Sequence, residues 1–432
     1  MRAAGVESGG GRVKAVVFDG AIPRYLATRA AGAVSRRLLT GACRCTQLRD
    51  VGPPPLPNEH WVRVATRLGG ICGSDLNLVS LHVSPSNSPF SSFPFVIGHE
   101  NVGTVVDLGA GVTRVARGDR VVANPLLACR ARGIDPVCRH CGDDHPSRCE
   151  HFTDGDIAPG MLLGTTRGLG GSWGEQFVAH ESQLLRVPEP VSDRAAVLVE
   201  PLACVVSPVL EHGIADGARV LVIGAGSVGL LAVAALKALA RVEVTILVKH
   251  PFQAAHAEAL RADRIVMTRA SDYFAELSRA TGGRLLQPIL GPRIHVGGFD
   301  ATFVCVGTES AVSDALRFTR AGGMIVLLGN VARLARVDWT PLWQKELRLF
   351  GSLCYNAPRG GGARRDAFET ALLLVAGPLG PAIEPLVTHV VPVDHYAEAL
   401  AIAQGRADRN AVKVALSGPD HSTQRPQVTP MS

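Results

Sequence analysis

The sequence predicts an α/β protein made of a β-rich amino-terminal domain and a doubly wound parallel sheet. Three observations carry this. Short apolar runs broken by glycine recur through about residue 198, as in a small barrel-like β domain. From Val199 onward strand and helix signals alternate, which is the pattern of βαβ units around a buried parallel sheet. Within that second region an apolar strand runs into Gly224, Gly226 and Gly229 and then into an alanine-rich apolar stretch, a strand–turn–helix unit.

Taken in order, residues 1–11 are glycine-rich and read as a frayed end, and residues 13–18 read as a strand. Residues 24–42 set Arg24, Arg29, Arg36 and Arg37 among Ala and Leu, a basic surface helix. The run Pro53, Pro54, Pro55 turns the chain, and residues 61–65 alternate as a strand. Residues 102–106 and 120–123 are further short strands. In the second region the expected strands are 219–223, 242–248, 264–267, 299–306 and 324–329, with helices over 229–240 and 311–320. Residues 286–298 read as a loop. Residues 350–416 return toward the first domain, and 417–432 read as a disordered tail. The expected division is therefore 1–198, 199–349 and 350–416, followed by the tail.

The chain has 432 residues, 47% of them hydrophobic, enough for two or three domains with real cores. The net charge of +6 is modest and scattered, so it does not point to nucleic acid. No apolar run approaches the roughly 18 residues of a membrane span, and the apolar stretch at residues 15–18 is too brief for a signal peptide core, so a cytoplasmic location is expected. Of ten cysteines, Cys129, Cys138, Cys141 and Cys149 cluster, which suggests metal rather than disulfides. Cys43 and Cys45 read as reduced surface thiols and Cys305 as core.

The chemistry concentrates in two places. Cys72 lies in the run from Gly70 to Asp75, and His99 and Glu100 follow Gly98. A thiolate, an imidazole and a carboxylate are what a catalytic zinc needs if one position is to stay open for substrate. The third ligand is open among Glu100, Glu200 and Cys204 on chemistry alone. The second place is the glycine turn. Gly224 permits the bend, Gly226 lets backbone approach a pyrophosphate, and Gly229 lets helix pack on strand, with the phosphates at a helix N-terminus. Ser227 and Val228 complete the turn, and Val306 is grouped with it as a cofactor contact. The next strand ends in Lys249 and His250, where an NAD site has an acid for the ribose hydroxyls. A cation there suits the 2′-phosphate of NADP, which is favoured over NAD; the alternative is that Lys249 faces solvent and backbone holds the ribose. A metal that polarises a hydroxyl and a nucleotide that takes its hydride read together as a zinc alcohol dehydrogenase.

These motifs, in this order, resemble the zinc-containing medium-chain dehydrogenase/reductase family over residues 13–416. The segments are Gly70 to Asp75, Gly98 to Gly103 with Gly118 to Val121, the cysteine lobe, Glu200 to Leu202, and the Gly224 turn. The Glu200 segment is more similar to the polyol, sugar and threonine dehydrogenase branch than to the ethanol enzymes. The resemblance implies a GroES-like catalytic domain split around a Rossmann nucleotide-binding domain, with the active site in the cleft. It implies Cys72 and His99 as zinc ligands and Glu100 as a residue that binds the metal or exchanges with its water. It also implies Glu200 as a carboxylate bound directly or through water, with Cys204 ranked third. Asp75 would support the site through His99, and Ser74 would bond the substrate oxygen and begin proton release. A homodimer or homotetramer acting on a small-molecule alcohol or carbonyl, with no membrane partner, is expected.

Three departures stand out. Many relatives have histidine at the place of Asn77, so the usual proton relay is weakened. Relatives space four lobe cysteines at intervals of three, three and eight; Cys138, Cys141 and Cys149 match the last three, and the first falls on Asp135, with Cys129 further upstream. A structural zinc is expected with either Cys129 or Asp135 as fourth ligand, the plainer alternative being a metal-free lobe. Residues 22–45 and 81–93 read as insertions. Two competing readings remain: a zinc-free NADPH-dependent enone or quinone reductase of the same fold, which would need none of Cys72, His99 and Glu200, and an inactive dinucleotide-binding sensor.

Overall fold

The computed structural model describes residues 11–269, 272–331, 334–357, 365–408 and 410–419. A six-stranded, wholly parallel sheet forms from strands in the order Arg264–Met267, Glu243–Val248, Arg219–Ile223, Phe299–Val304, Thr319–Leu327 and Arg348–Gly351. Its strands are unbroken apolar runs because both faces are covered; Val220, Leu221 and Val222 are fully buried. The helix Ser227–Leu239 buries a run from Leu230 to Leu236 against it. The chain begins at the central strand Arg219–Ile223, fills one flank, and then crosses back to Phe299–Val304. A ligand crevice opens at such a reversal, outside the carboxyl ends of the strands.

The second large sheet is mostly antiparallel. Its order is Val387–Pro392, Lys413–Ser417, Trp61–Gly70, Asn101–Leu108, Arg120–Ala123 and Leu184–Arg186, with Gln176–His180 also paired to Trp61–Gly70. Trp61–Gly70 alternates buried and half-buried positions until its last three residues, which are all buried. Ala415 pairs with Gly70, so the carboxy-terminal strand lies against the approach to Cys72. A smaller sheet joins Thr46–Val51, Val13–Phe18 and Phe95–Val96. The helix Val199–His212 packs on both Ser227–Leu239 and Ala367–Ala376, so the first turn that carries Glu200 is buried between the two regions. Among the described residues no single helix is long and apolar enough to cross a membrane.

Several local expectations are corrected. Residues 286–298 are not a plain loop: Arg284–Leu286 and Ile294–Val296 pair as a short antiparallel hairpin, too brief for apolar alternation to reveal. The basic helix is Ile22–Val34, ending at Ser35 before Arg37, and a 3₁₀ turn follows. Cys45 is fully buried rather than a surface thiol, and its backbone N–H donates to Thr28 Oγ1 at 2.8 Å; Cys43 is exposed as expected. Ser417 belongs to a buried strand, not to a tail; positions 420–432 of the expected tail lie outside the described residues.

Candidate active site and metal lobe

The strand Trp61–Gly70 delivers the chain into the helix Gly73–Val79, with Cys72 at its N-cap. Asp75, in the first turn, reaches back so that its Oδ2 accepts from the Cys72 N–H at 2.9 Å. Its other oxygen, Oδ1, stands 3.4 Å from His99 Nδ1. His99 follows Gly98, which has φ of +105° and whose missing Cβ leaves room for the Trp173 ring. With Nδ1 directed at a carboxylate, the imidazole keeps Nε2 for another partner, the orientation in which histidine serves a metal. Burial opposes charge on this imidazole, yet Asp75 and Cys72 outweigh it and hold its pKa well above the ordinary value.

Two carboxylates border these residues, and their surroundings differ. Glu100 is fully buried, and both its oxygens accept from Lys413 Nζ, at 2.5 and 2.7 Å. Lys413 also donates to the Ile71 carbonyl at 3.2 Å. Burial opposes its charge, but Glu100, Cys72 and Glu200 overcome this and raise its pKa. Glu200 accepts on one oxygen, Oε1, from the Tyr355 hydroxyl and from the Cys204 thiol, the latter at 3.5 Å. No bond engages its Oε2 among the described residues. Burial first, and Glu200 second, push the Cys204 thiol well above its usual pKa, so Cys204 is a thiol donor to Glu200 rather than a ready thiolate. The Ser74 hydroxyl is buried and has no hydrogen-bond partner in the described structure. An orphaned buried hydroxyl costs about 1–3 kcal/mol unless a ligand satisfies it.

The glycine turn has the geometry a pyrophosphate needs. Gly224 has φ of +99°, and a Cβ at Gly229 would run into the Gly224 carbonyl, so strand and helix meet only because both are glycine. Nothing occupies the space where a Gly226 Cβ would stand. Ser227 and Val228 begin the helix, and Val306 lies beside Gly224, at 2.9 Å from its hypothetical Cβ. Lys249 is exposed and His250 half-buried, just past the end of Glu243–Val248.

In the cysteine lobe, the ligand atoms of Cys129, Cys138, Cys141 and Cys149 all lie within 4.8 Å of one another, and Cys129 Sγ is 3.5 Å from Cys149 Sγ. Four thiolates at about 2.3 Å from a tetrahedral zinc stand about 3.8 Å apart, so the set fits that ion. Asp135 is exposed and not part of the group. The 3₁₀ turn Cys129–Arg132 carries Cys129 back to the other three, which linear spacing could not reveal. Burial raises the Cys138 pKa, but backbone N–H groups at Glu150 and Cys141 outweigh it and bring the thiol down to about 6. Burial pushes Cys149 up to about 11 and raises Cys141 as well. Such thiols ionise together only beside a cation. Among the described residues this is the one set gathered so closely.

Sequence reasoning missed Lys413, which opens an apolar strand 313 positions from Glu100, and it missed the bond from Tyr355 to Glu200. A lone lysine at a position that strand pairing must bury was the available signal.

Residues 58–189 match the alcohol dehydrogenase GroES-like domain model, and residues 227–376 match the zinc-binding dehydrogenase model. D-arabinitol dehydrogenase 1 of Uromyces fabae is 27% identical over 84% of this chain and 91% of that protein. Sorbitol dehydrogenase 1 of Saccharomyces cerevisiae is 28% identical over 85% and 93%. Among solved structures, 2R,3R-butanediol dehydrogenase from Bacillus subtilis superposes with a TM-score of 0.68 at 23% identity, covering 94% of this chain and 99% of that one. A zinc-binding dehydrogenase from Sinorhizobium meliloti 1021, bound to NADP, gives 0.68 at 24% identity with the same coverage. At these identities the structural likeness speaks to fold, and with the two matched models it leads to one statement: the chain belongs to the zinc-containing medium-chain dehydrogenase family.

Proposed function

We propose that this chain is a zinc-dependent, NADP-preferring dehydrogenase that interconverts a secondary alcohol, polyol or sugar-like, and its carbonyl. The observation that carries the reading is the buried, unpartnered Ser74 hydroxyl, two residues from Cys72 on the helix whose Asp75 steadies His99. Cys72, His99 and Glu200 through its unengaged oxygen would hold the zinc. When bound, zinc would polarise the substrate oxygen and NADP would accept the hydride.

The chain's own residues do the rest. Ser74 bonds the substrate oxygen and relays its proton, taking it up as its own hydroxyl proton is released. Asn77 cannot titrate, so the proton leaves from Ser74 through water. Asp75 fixes the imidazole of His99 by its Nδ1 side. Lys413 neutralises Glu100, which leaves Glu200 as the carboxylate free to turn one oxygen toward the metal. Tyr355 and Cys204 hold the other oxygen. The likeness to polyol dehydrogenases supports a secondary alcohol as substrate.

The test is initial rates on a panel of secondary alcohols and polyols, with ketones and aldehydes in reverse. Each is run with NADP and NAD, before and after removal and restoration of zinc. Turnover that falls with zinc and returns with it is the expected result. Turnover that survives verified zinc loss would overturn the mechanism and favour a zinc-free reductase.

A further inference from the structure

The ends of two neighbouring strands carry an inference about how the cofactor is chosen. Glu243–Val248 and Arg264–Met267 run parallel, with Val248 opposite Met267. Pairing continues one step further, because the Thr268 N–H donates to the Val248 carbonyl at 2.8 Å. The chain therefore emerges from both strands at one level, as Lys249 and His250 from the first and Thr268 and Arg269 from the second. Both strands lie on the flank of the sheet that begins at the glycine turn, away from Phe299–Val304. In a doubly wound sheet the adenosine ribose sits over the end of the second strand.

Two basic residues, Lys249 and Arg269, stand at these strand ends. Val248, the last residue of its strand, is apolar and buried, so that position offers no carboxylate to a ribose diol. The Gln253 side-chain oxygen accepts from the Lys249 and His250 N–H groups, at 2.9 and 3.2 Å, which fixes the backbone. The His250 ring lies nearly parallel to Phe252, with centroids 5.7 Å apart, and so is committed within its own helix start. Lys249 and Arg269 are both exposed, and neither cationic group has a hydrogen-bond or ion-pair partner among the described residues.

We propose that Arg269, with Lys249, forms the seat of the phosphate on the adenosine ribose of NADP, and that Arg269 is the residue that selects for it. The proposal rests on the NADP preference put forward above. A guanidinium grips two phosphate oxygens at once, whereas an ammonium acts as a point charge. Arg269 is therefore the stronger determinant, and it replaces His250 as the second cation.

The experiment measures binding of 2′,5′-ADP and of 5′-ADP to the full-length protein by calorimetry, for the wild type, Arg269→Gln, Arg269→Lys and Lys249→Gln. The wild type is expected to prefer the 2′-phosphorylated ligand by about tenfold or more, the worth of charged hydrogen bonds. Arg269→Gln should erase most of that preference, Arg269→Lys should keep part, and Lys249→Gln should lose less than Arg269→Gln. A wild type with no preference would overturn the NADP reading, and this proposal with it. A wild-type preference that Arg269→Gln retains would overturn this proposal alone.

Discussion

Replacing Lys413 with methionine isolates the energetics of the buried pair behind the candidate site. Both side chains are almost wholly removed from water, and the two N–O contacts of 2.5 and 2.7 Å leave no room for water between them. Methionine fills much the same volume but leaves Glu100 buried without its partner. Breaking a buried ion pair from one side costs about 3–5 kcal/mol. Melting midpoints of large domains fall by roughly 2–4 °C for each kcal/mol, so Lys413→Met should lower the apparent midpoint by about 10 °C. The double variant Lys413→Met with Glu100→Gln removes both charges, and neutral replacement of both partners is close to neutral in free energy. It should recover more than half of the loss. Scanning calorimetry on the zinc-loaded wild type and both variants, at one scan rate, reads this. A single variant that melts with the wild type, or a double variant no more stable than the single, would refute the claim that the pair compensates a buried charge.

Other expectations follow from separate parts of the molecule. His295 is fully buried, and burial, with Lys345 adding to it, lowers its pKa from 6.5 to about 4. Its folded pKa lies below the unfolded one, so the unfolded chain binds the extra proton between those values and stability falls as pH drops from about 6.5 toward 4. The loss between pH 7 and pH 5 is roughly 2 kcal/mol, and His295→Phe should remove that part of the acid slope in denaturant titrations at the two pH values. Cys129→Ser should release about one equivalent of zinc per chain, measured by elemental analysis, while Asp135→Asn should release none; the reverse would restore Asp135 as fourth ligand. Ser74→Ala should cut kcat by about 10²-fold or more while leaving the metal content intact, and a variant with wild-type kcat would remove Ser74 from proton transfer.

What the sequence made legible depends on distance along the chain. The parallel strands and their glycine turn are local patterns: an apolar run such as Val220 to Val222 can only be buried, and Gly224 with Gly229 can only be a tight strand-to-helix turn. Cys72, Asp75 and His99 were readable for a similar reason, since each stands within a short glycine-bounded segment. The residues that tune the site were not. Lys413 reaches Glu100 because Ala415 pairs with Gly70, and that pairing is a fact of sheet register between segments hundreds of residues apart. Tyr355 meets Glu200 because Ser207, on the same helix as Glu200, holds the backbone on either side of it, its hydroxyl donating to the Cys354 carbonyl and accepting from the Asn356 N–H. Cys129 joins the lobe through a turn that makes its sequence offset irrelevant. In each case the residue type announces a chemistry while the fold decides which partner receives it. The two carboxylates make the point most sharply. Glu100 stands next to His99 in sequence and looks the nearer ligand, yet Lys413 occupies both of its oxygens. Glu200, from a separate helix, keeps one oxygen unengaged. Which of the two acids is tied up by a cation is set by the strand Lys413–Ser417, not by adjacency to the histidine.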